Sequence, residues 1–219
     1  MKFAILRVVY NSYAFAPILD KIRPALRYSL FSFSGLASLI PHGGRVLDVG
    51  CGDGLLAVYL KKILNRTQAV VGIDIDKRKI RIAEQLELSD VQFQYRDVAA
   101  MPSNSFDVVT IVHVMYLIPL ALRPQFLQQC VRVLKPLGTL VLAVNATTPT
   151  WKYYFSFVQE LIMVKLLGLT AGSTMRFQSI GECEKWIASA GATVSAVTSL
   201  DRGRPYSHVA LVAQKLSHA

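Results

Sequence analysis

The chain has 219 residues, 53% hydrophobic and 17% charged, enough apolar material to bury a full core in one domain with an elaboration. That balance excludes a disordered chain; 13 scattered Gly without a period exclude collagen-like and repeat architectures; and Cys51, Cys130 and Cys183, with no CxxC pair, argue against a disulfide framework or a zinc site. The net charge is +10, half of it in residues 1–45, which hold six Lys/Arg against one Asp.

In chain order, residues 1–44 read as helices, with Ile5, Val8 and Val9, then Ile18, Ile22 and Leu26 at helical spacing, and breaks expected at Pro17 and Pro24. Two readings of residues 1–30 stand open. Their apolar face packs on the cleft while Lys and Arg face water, or it rests on an anionic membrane surface. Short apolar runs then alternate with helical patterns from residue 45. Strands are expected at 45–50 (RVLDVG), 69–74 (AVVGID), 91–95 (VQFQY, alternating as at a sheet edge), 106–114 and 138–145. Helices are expected at Leu55–Leu64, Lys77–Leu88 and Pro124–Leu134. This alternation with near-continuous apolar strands means an α/β, doubly wound sheet, mostly parallel, with helices on both faces. Ser179-Ile180-Gly181-Glu182 is a capping box that opens a helix stopping at Gly191. Strands at 192–200 and 208–214 follow, too close together for a parallel crossover, so a seventh, last strand runs antiparallel. No segment has the roughly 20 apolar residues of a membrane span. Arg7 and Asn11 interrupt the stretch before Ala14-Phe15-Ala16 that a secretory signal would need. The expected location is cytoplasmic, at most peripheral to a membrane.

The first strand runs into Asp48-Val49-Gly50-Cys51-Gly52-Asp53-Gly54 directly before a helix. Alternate glycines let the backbone approach a ligand, and the helix start offers free N–H groups. Twenty residues past Gly54 the second strand ends at Asp74, whose carboxylate suits two ribose hydroxyls. Together these features point to a nucleoside-containing cofactor. The turn is GxGxG rather than GxGxxG and lacks the GK[ST] of a phosphate loop; Asp48 would repel a pyrophosphate and suits a cationic ammonium.

VLDVGCGDG (46–54) resembles motif I of the class I S-adenosylmethionine-dependent methyltransferases. The resemblance continues through VVGIDID (70–76), RDVAAMPSNSFDVVTI (96–111) and RVLKPLGTLVLAV (132–144), covering about residues 45–145. VVYNSYAFAP (8–17) is similar, more loosely, to the tyrosine-containing lid entry of the small-molecule branch. The resemblance implies a Rossmann-like seven-stranded fold, an N-terminal helical lid (1–44) and a methyltransferase domain (45–219) with a cap insertion at about 146–178. It also implies S-adenosylmethionine as cofactor, S-adenosylhomocysteine as product, and no metal. Residue by residue, Asp48 with the Gly50 and Gly52 backbone would hold the methionine amino and carboxylate ends, with Cys51 inside the same turn as a small packing residue. Asp74 would bind the ribose and Ile75 would pack on the adenine. Asp97 would accept from the adenine amino group beside the Val98 N–H, and the backbone of Val112 and His113 would lie under the methionine portion. Plainer roles compete: Asp97 as the cap of a turn, Ile75 as core, and Asp76 as the cap of the helix at Lys77.

On the acceptor side, Val112-His113-Val114-Met115-Tyr116 departs from the Asn-Pro-Pro-Tyr motif of the amino-methylating nucleic-acid branch. His113 is the candidate base toward a hydroxyl or carbon acid, and Tyr116 a second catalytic candidate. His208 and His218 read as structural or solvated. Aromatic and aliphatic residues crowd 1–44 and 146–178, among them Trp151, Tyr153, Tyr154, Phe155 and Phe157. They form either a greasy wall for a large apolar acceptor or cap packing around a small polar pocket. Arg202, Arg204 and Tyr206 form either a solvated turn or a contact to an anionic headgroup. The expected function is methyl transfer to a small, hydrophobic or lipid-like acceptor. The rivals are an RNA or protein methyltransferase, suggested by the charge, and a non-catalytic binding protein of the same fold.

Overall fold

A computed structural model describes residues 2–145, 178–201 and 208–217. The expected cap at 146–178, apart from Gln178, lies outside the described residues, as do Arg202, Arg204, Tyr206 and His218. Seven strands form one sheet: β1 (Val46–Val49), β2 (Val70–Asp74), β3 (Val91–Tyr95), β4 (Phe106–Val112), β5 (Leu134–Asn145), β6 (Ala192–Ser199) and β7 (His208–Lys215). Their order is β3-β2-β1-β4-β5-β7-β6. β1 to β5 pair in parallel, and β7 runs antiparallel to both β5 and β6. β3 is an edge, as its alternating pattern predicts.

Alternate strand residues feed two cores, as the pleat requires. Val46, Val70, Val108 and Val141 join one, together with α1 (Lys2–Ser12), α3 (Phe33–Ser38), α4 (Leu55–Val58) and α5 (Lys77–Glu84). Leu47, Val71, Val109 and Leu142 join the other, with α6 (Arg123–Val133) and α7 (Ile180–Ser189). The α7 capping box forms as expected: the Ser179 hydroxyl accepts from the Glu182 N–H at 3.2 Å, and the Ser179 N–H donates to the Glu182 carboxylate at 2.8 Å.

Three local expectations are corrected. The helix expected over Leu55–Leu64 is α4 followed by a π-helical turn, Tyr59–Ile63, in which the Leu64 N–H reaches the Tyr59 carbonyl at 3.1 Å before Asn65 turns left-handed. α5 stops at Glu84 instead of Leu88, capped at Gln85, and Glu87 takes a positive φ. At the N-terminus, α2 (Ile18–Leu30) runs through Pro24. Proline there forfeits the bond to the Asp20 carbonyl, but Arg23 and Pro24 are buried, and tertiary contacts hold the winding.

Candidate active site

The strand order reverses between β1 and β4, and ligands of open α/β sheets bind at the carboxyl ends of the strands beside such a point. A cavity of about 920 Å³ opens there. The two loops at the switch interlock. Gly50 has φ +73°, and a Cβ on it would collide with the Val114 side chain, so only glycine lets the loop after β4 close onto the turn after β1. The Gly50 and Cys51 N–H groups bond back to the Ile73 carbonyl at 2.8 and 3.0 Å, which folds the turn over the end of β2.

Asp74 ends β2 at the cavity wall. One of its carboxylate oxygens accepts from the Gly52 N–H and the other from the Asp76 N–H, each at 2.8 Å. A carboxylate offers about four acceptor sites, so roughly two remain for a ligand. Asp76 takes the plainer of its two roles, capping α5 through the Arg78 and Lys79 N–H groups. Ile75 is not core: it stands exposed on the cavity wall. Asp97 lines the cavity and also caps the short turn Val98–Ala100, accepting from the Ala99 N–H at 2.7 Å. Arg132 holds that turn from behind, its Nη2 donating to the carbonyls of Val98, Ala99 and Met101 at 3.2, 3.2 and 2.8 Å.

Asp48 and Cys51 sit behind the turn and do not line the cavity. Asp48 lies opposite Thr110 in the β1–β4 register, and the Thr110 hydroxyl donates to it at 2.8 Å. Burial, against the Thr110 bond and the nearby Arg27, pushes the Asp48 carboxyl up to about 6. Burial likewise raises the Cys51 thiol, which stays protonated and acts as packing.

Asp53 carries more than the sequence suggests. It is buried in the turn, 3.2 Å from Arg23 and 3.8 Å from Arg27 of α2, and the buried Tyr13 hydroxyl donates to its backbone carbonyl at 3.0 Å. The N-terminal helices are thus pinned to the glycine turn, and Arg23, Arg27, Leu30 and Phe31 line the cavity. A carboxylate inside a glycine turn beside a strongly basic N-terminal segment is the only sequence trace of this.

Beside the turn, just past the end of β4, His113 has φ +57°, an uncommon left-handed backbone for a non-glycine residue. Its ring stands 4.6 Å from Phe31, edge-on, and 4.6 Å from His208; Phe31 also meets His208 at 5.2 Å. Burial, then the neighbouring His208 and Arg27, push the His113 pKa well below the usual histidine range. His113 Nε2 has no hydrogen-bond partner among the described residues. Tyr116 is buried nearby and lines the same cavity. His208, expected to be structural or solvated, is also a wall residue. The signal for it was available in the topology: a reversed last strand begins where its parallel neighbours end, and His208 pairs with Asn145.

Residues 46–138 match the family model described as a methyltransferase domain. Over 170 residues the chain is 31% identical to the ubiquinone biosynthesis O-methyltransferase of Xanthomonas axonopodis pv. citri, covering 75% of this chain and 69% of that protein. The chain belongs to the class I S-adenosylmethionine-dependent methyltransferases. The methyltransferase is also 31% identical over 179 residues to the enzyme of the same name from Pseudomonas fluorescens Pf0-1, covering 78% of this chain and 74% of that one. Two solved structures share the fold. A methyltransferase from Aquifex aeolicus is 20% identical with a TM-score of 0.65, over 87% of this chain and 93% of that one. The magnesium protoporphyrin IX methyltransferase of Synechocystis PCC 6803 is 19% identical with a TM-score of 0.62, over 84% and 80%. The cofactor of this methyltransferase is therefore S-adenosylmethionine. The wall suits it. A Cβ on Gly52 would meet only Arg27 and Lys79 side-chain tips, at 3.4 and 3.9 Å, so the turn presents bare backbone beside the open sites of Asp74.

Proposed function

We propose that this enzyme methylates a hydroxyl of a small, hydrophobic acceptor. The observation that carries the reading is the apolar lining of the cavity: Phe31, Phe33, Leu117, Ile118 and Leu122 line it together with His113, whose buried Nε2 has no hydrogen-bond partner among the described residues. The relatives named ubiquinone biosynthesis O-methyltransferase support oxygen as the acceptor atom. The RNA- or protein-methylating reading rested on charge, and two of the cavity's arginines, Arg23 and Arg27, are engaged with Asp53.

When bound, S-adenosylmethionine supplies a methyl carbon activated by its positive sulfur. The chain aligns and deprotonates. Asp74 takes the ribose hydroxyls on its remaining acceptor sites, Ile75 covers the adenine, and Asp97 with the Val98 N–H reads its edge. The backbone of Gly50, Gly52 and Val112 borders the methionine portion, with the charge of Asp48 one layer behind. His113 is uncharged at neutral pH because burial disfavours its cation. It would accept the hydroxyl proton as the oxygen bonds to the methyl carbon and the carbon–sulfur bond breaks, S-adenosylhomocysteine leaving as the neutral thioether; Tyr116 lines the same cavity. Residues 1–44 act as a lid over the same space, since α2 lines it from above.

The test is methyl transfer to a panel of phenols of increasing apolar substitution, with wild type and His113→Asn. Asparagine tolerates the left-handed backbone at this position. The expected result is a fall in kcat of about 100-fold or more with unchanged S-adenosylhomocysteine affinity. Wild-type turnover by His113→Asn, or no transfer to any phenol, overturns the proposal.

A further inference from the structure

α2 is built inside out. A helix on a protein surface normally turns its apolar stripe inward and its charges to water. Here Arg23 is 5% exposed, while Ile18 and Leu19 are 62% and 69% exposed, and Ile22 and Leu26 stand out with them. The spacing 18, 19, 22, 26 makes one continuous stripe along the helix. Phe15, just before α2, and Phe3 on α1, which packs against α2, are exposed as well. Asp53 explains the inversion: it draws Arg23 and Arg27 inward, so the opposite, apolar side of α2 has to face out.

The part of the chain that carries this stripe is strongly basic. Residues 1–73 contain nine Lys/Arg and three acids, Asp20, Asp48 and Asp53. All three acids are withdrawn: Asp48 and Asp53 are buried, and Asp20 pairs with the buried Arg23 at 3.2 Å. Arg7 is exposed on α1, Lys21 lies over the Tyr10 ring, and the π-helical turn packed against α1 carries the exposed Lys62. A second copy seated here would oppose two basic faces. An anionic surface with an apolar interior complements both the stripe and its rim.

We infer that the outer face of α2, with Phe15 and the surrounding basic residues, is an interfacial docking surface for an anionic lipid bilayer. α2 lines the cavity with its inner side, so docking sets the acceptor entrance against the membrane. This placement rests on the proposed apolar acceptor, which would be drawn from the bilayer.

The test is co-sedimentation of the full chain with vesicles of phosphatidylcholine alone or mixed with phosphatidylglycerol, at low and high salt, for wild type and the double variant L19E/I22E. Neither position lines the cavity. The expected result is binding to the mixed vesicles, lowered about tenfold or more by high salt, by omission of the anionic lipid or by the double substitution. The double variant keeps the wild-type melting temperature and S-adenosylhomocysteine affinity. Wild type left in the supernatant with both vesicle types, or undiminished binding by a folded L19E/I22E, overturns the inference. Self-association of wild type that the double variant loses also overturns it, by assigning the face to a second copy. Transfer to a soluble phenol is measured on the same preparations. A chain that ignores vesicles yet methylates the phenol loses only the docking surface; one that binds vesicles yet methylates no phenol loses only the acceptor.

Discussion

At the glycine turn the cavity wall is backbone, held by main-chain bonds to Ile73 and by one carboxylate, Asp74, all within 25 residues of each other. Beyond the turn, at the ends of β4 and β7, the wall is side chains, the rings of Phe31, His113 and His208, gathered from three distant parts of the chain and held by ring contacts and burial. The first wall has almost no conformational freedom to lose when a ligand arrives. The second depends on the N-terminal helices staying where Asp53 holds them. A shared cofactor and a variable acceptor call for this division, since the side-chain wall can change without disturbing the backbone one.

The largest expected effect breaks the tie between the two walls. Asp53→Ala leaves the buried Arg23 with Asp20 alone, and removing one member of a buried charge pair costs up to about 3–5 kcal/mol. Urea denaturation should show a loss of that size, with α1 and α2 gaining amide exchange ahead of the sheet. Wild-type stability in Asp53→Ala would mean that apolar packing alone seats these helices.

Next in size is the carboxylate that braces the glycine turn. Asp74→Ala should weaken S-adenosylhomocysteine binding by about 1–3 kcal/mol, the cost of leaving polar partners unmade, as read by isothermal titration. Unchanged affinity would separate Asp74 from the cofactor.

The smallest effect sharpens the contrast by pH. Asp48 has its carboxyl raised to about 6 by burial, so it loses its charge as pH falls through that value. If that charge helps hold the methionine ammonium, affinity should fall below pH 6 by up to about tenfold per unit, and Asp48→Asn should show no such slope. His113 moves the other way. Burial, with His208 and Arg27 facing it, lowers its pKa, so it stays uncharged where an ordinary histidine protonates. At saturating cofactor, kcat should therefore stay flat as pH falls through about 6.5. A drop in kcat there would mean that His113 titrates normally or that another histidine carries the base.

By itself the sequence determined the sheet, its reversed last strand, the glycine turn and the placement of Asp74, Ile75 and Asp97 on one wall. Those features are local. Strand period, helix caps at Asp76 and Ser179, and Gly50's positive φ act over a few residues, and strand–helix alternation then dictates which ends face the cavity. Even there, the π-helical turn after α4 and the early end of α5 depended on packing. What only the tertiary structure decided is the orientation of α2, the role of Asp53 and the meeting of His113 with His208. The apolar spacing of Ile18, Ile22 and Leu26 names a face but not its direction. That direction goes with a buried carboxylate 30 residues beyond Arg23: Asp53 accepts from the Arg23 guanidinium inside the protein, where either charge left without the other would be costly.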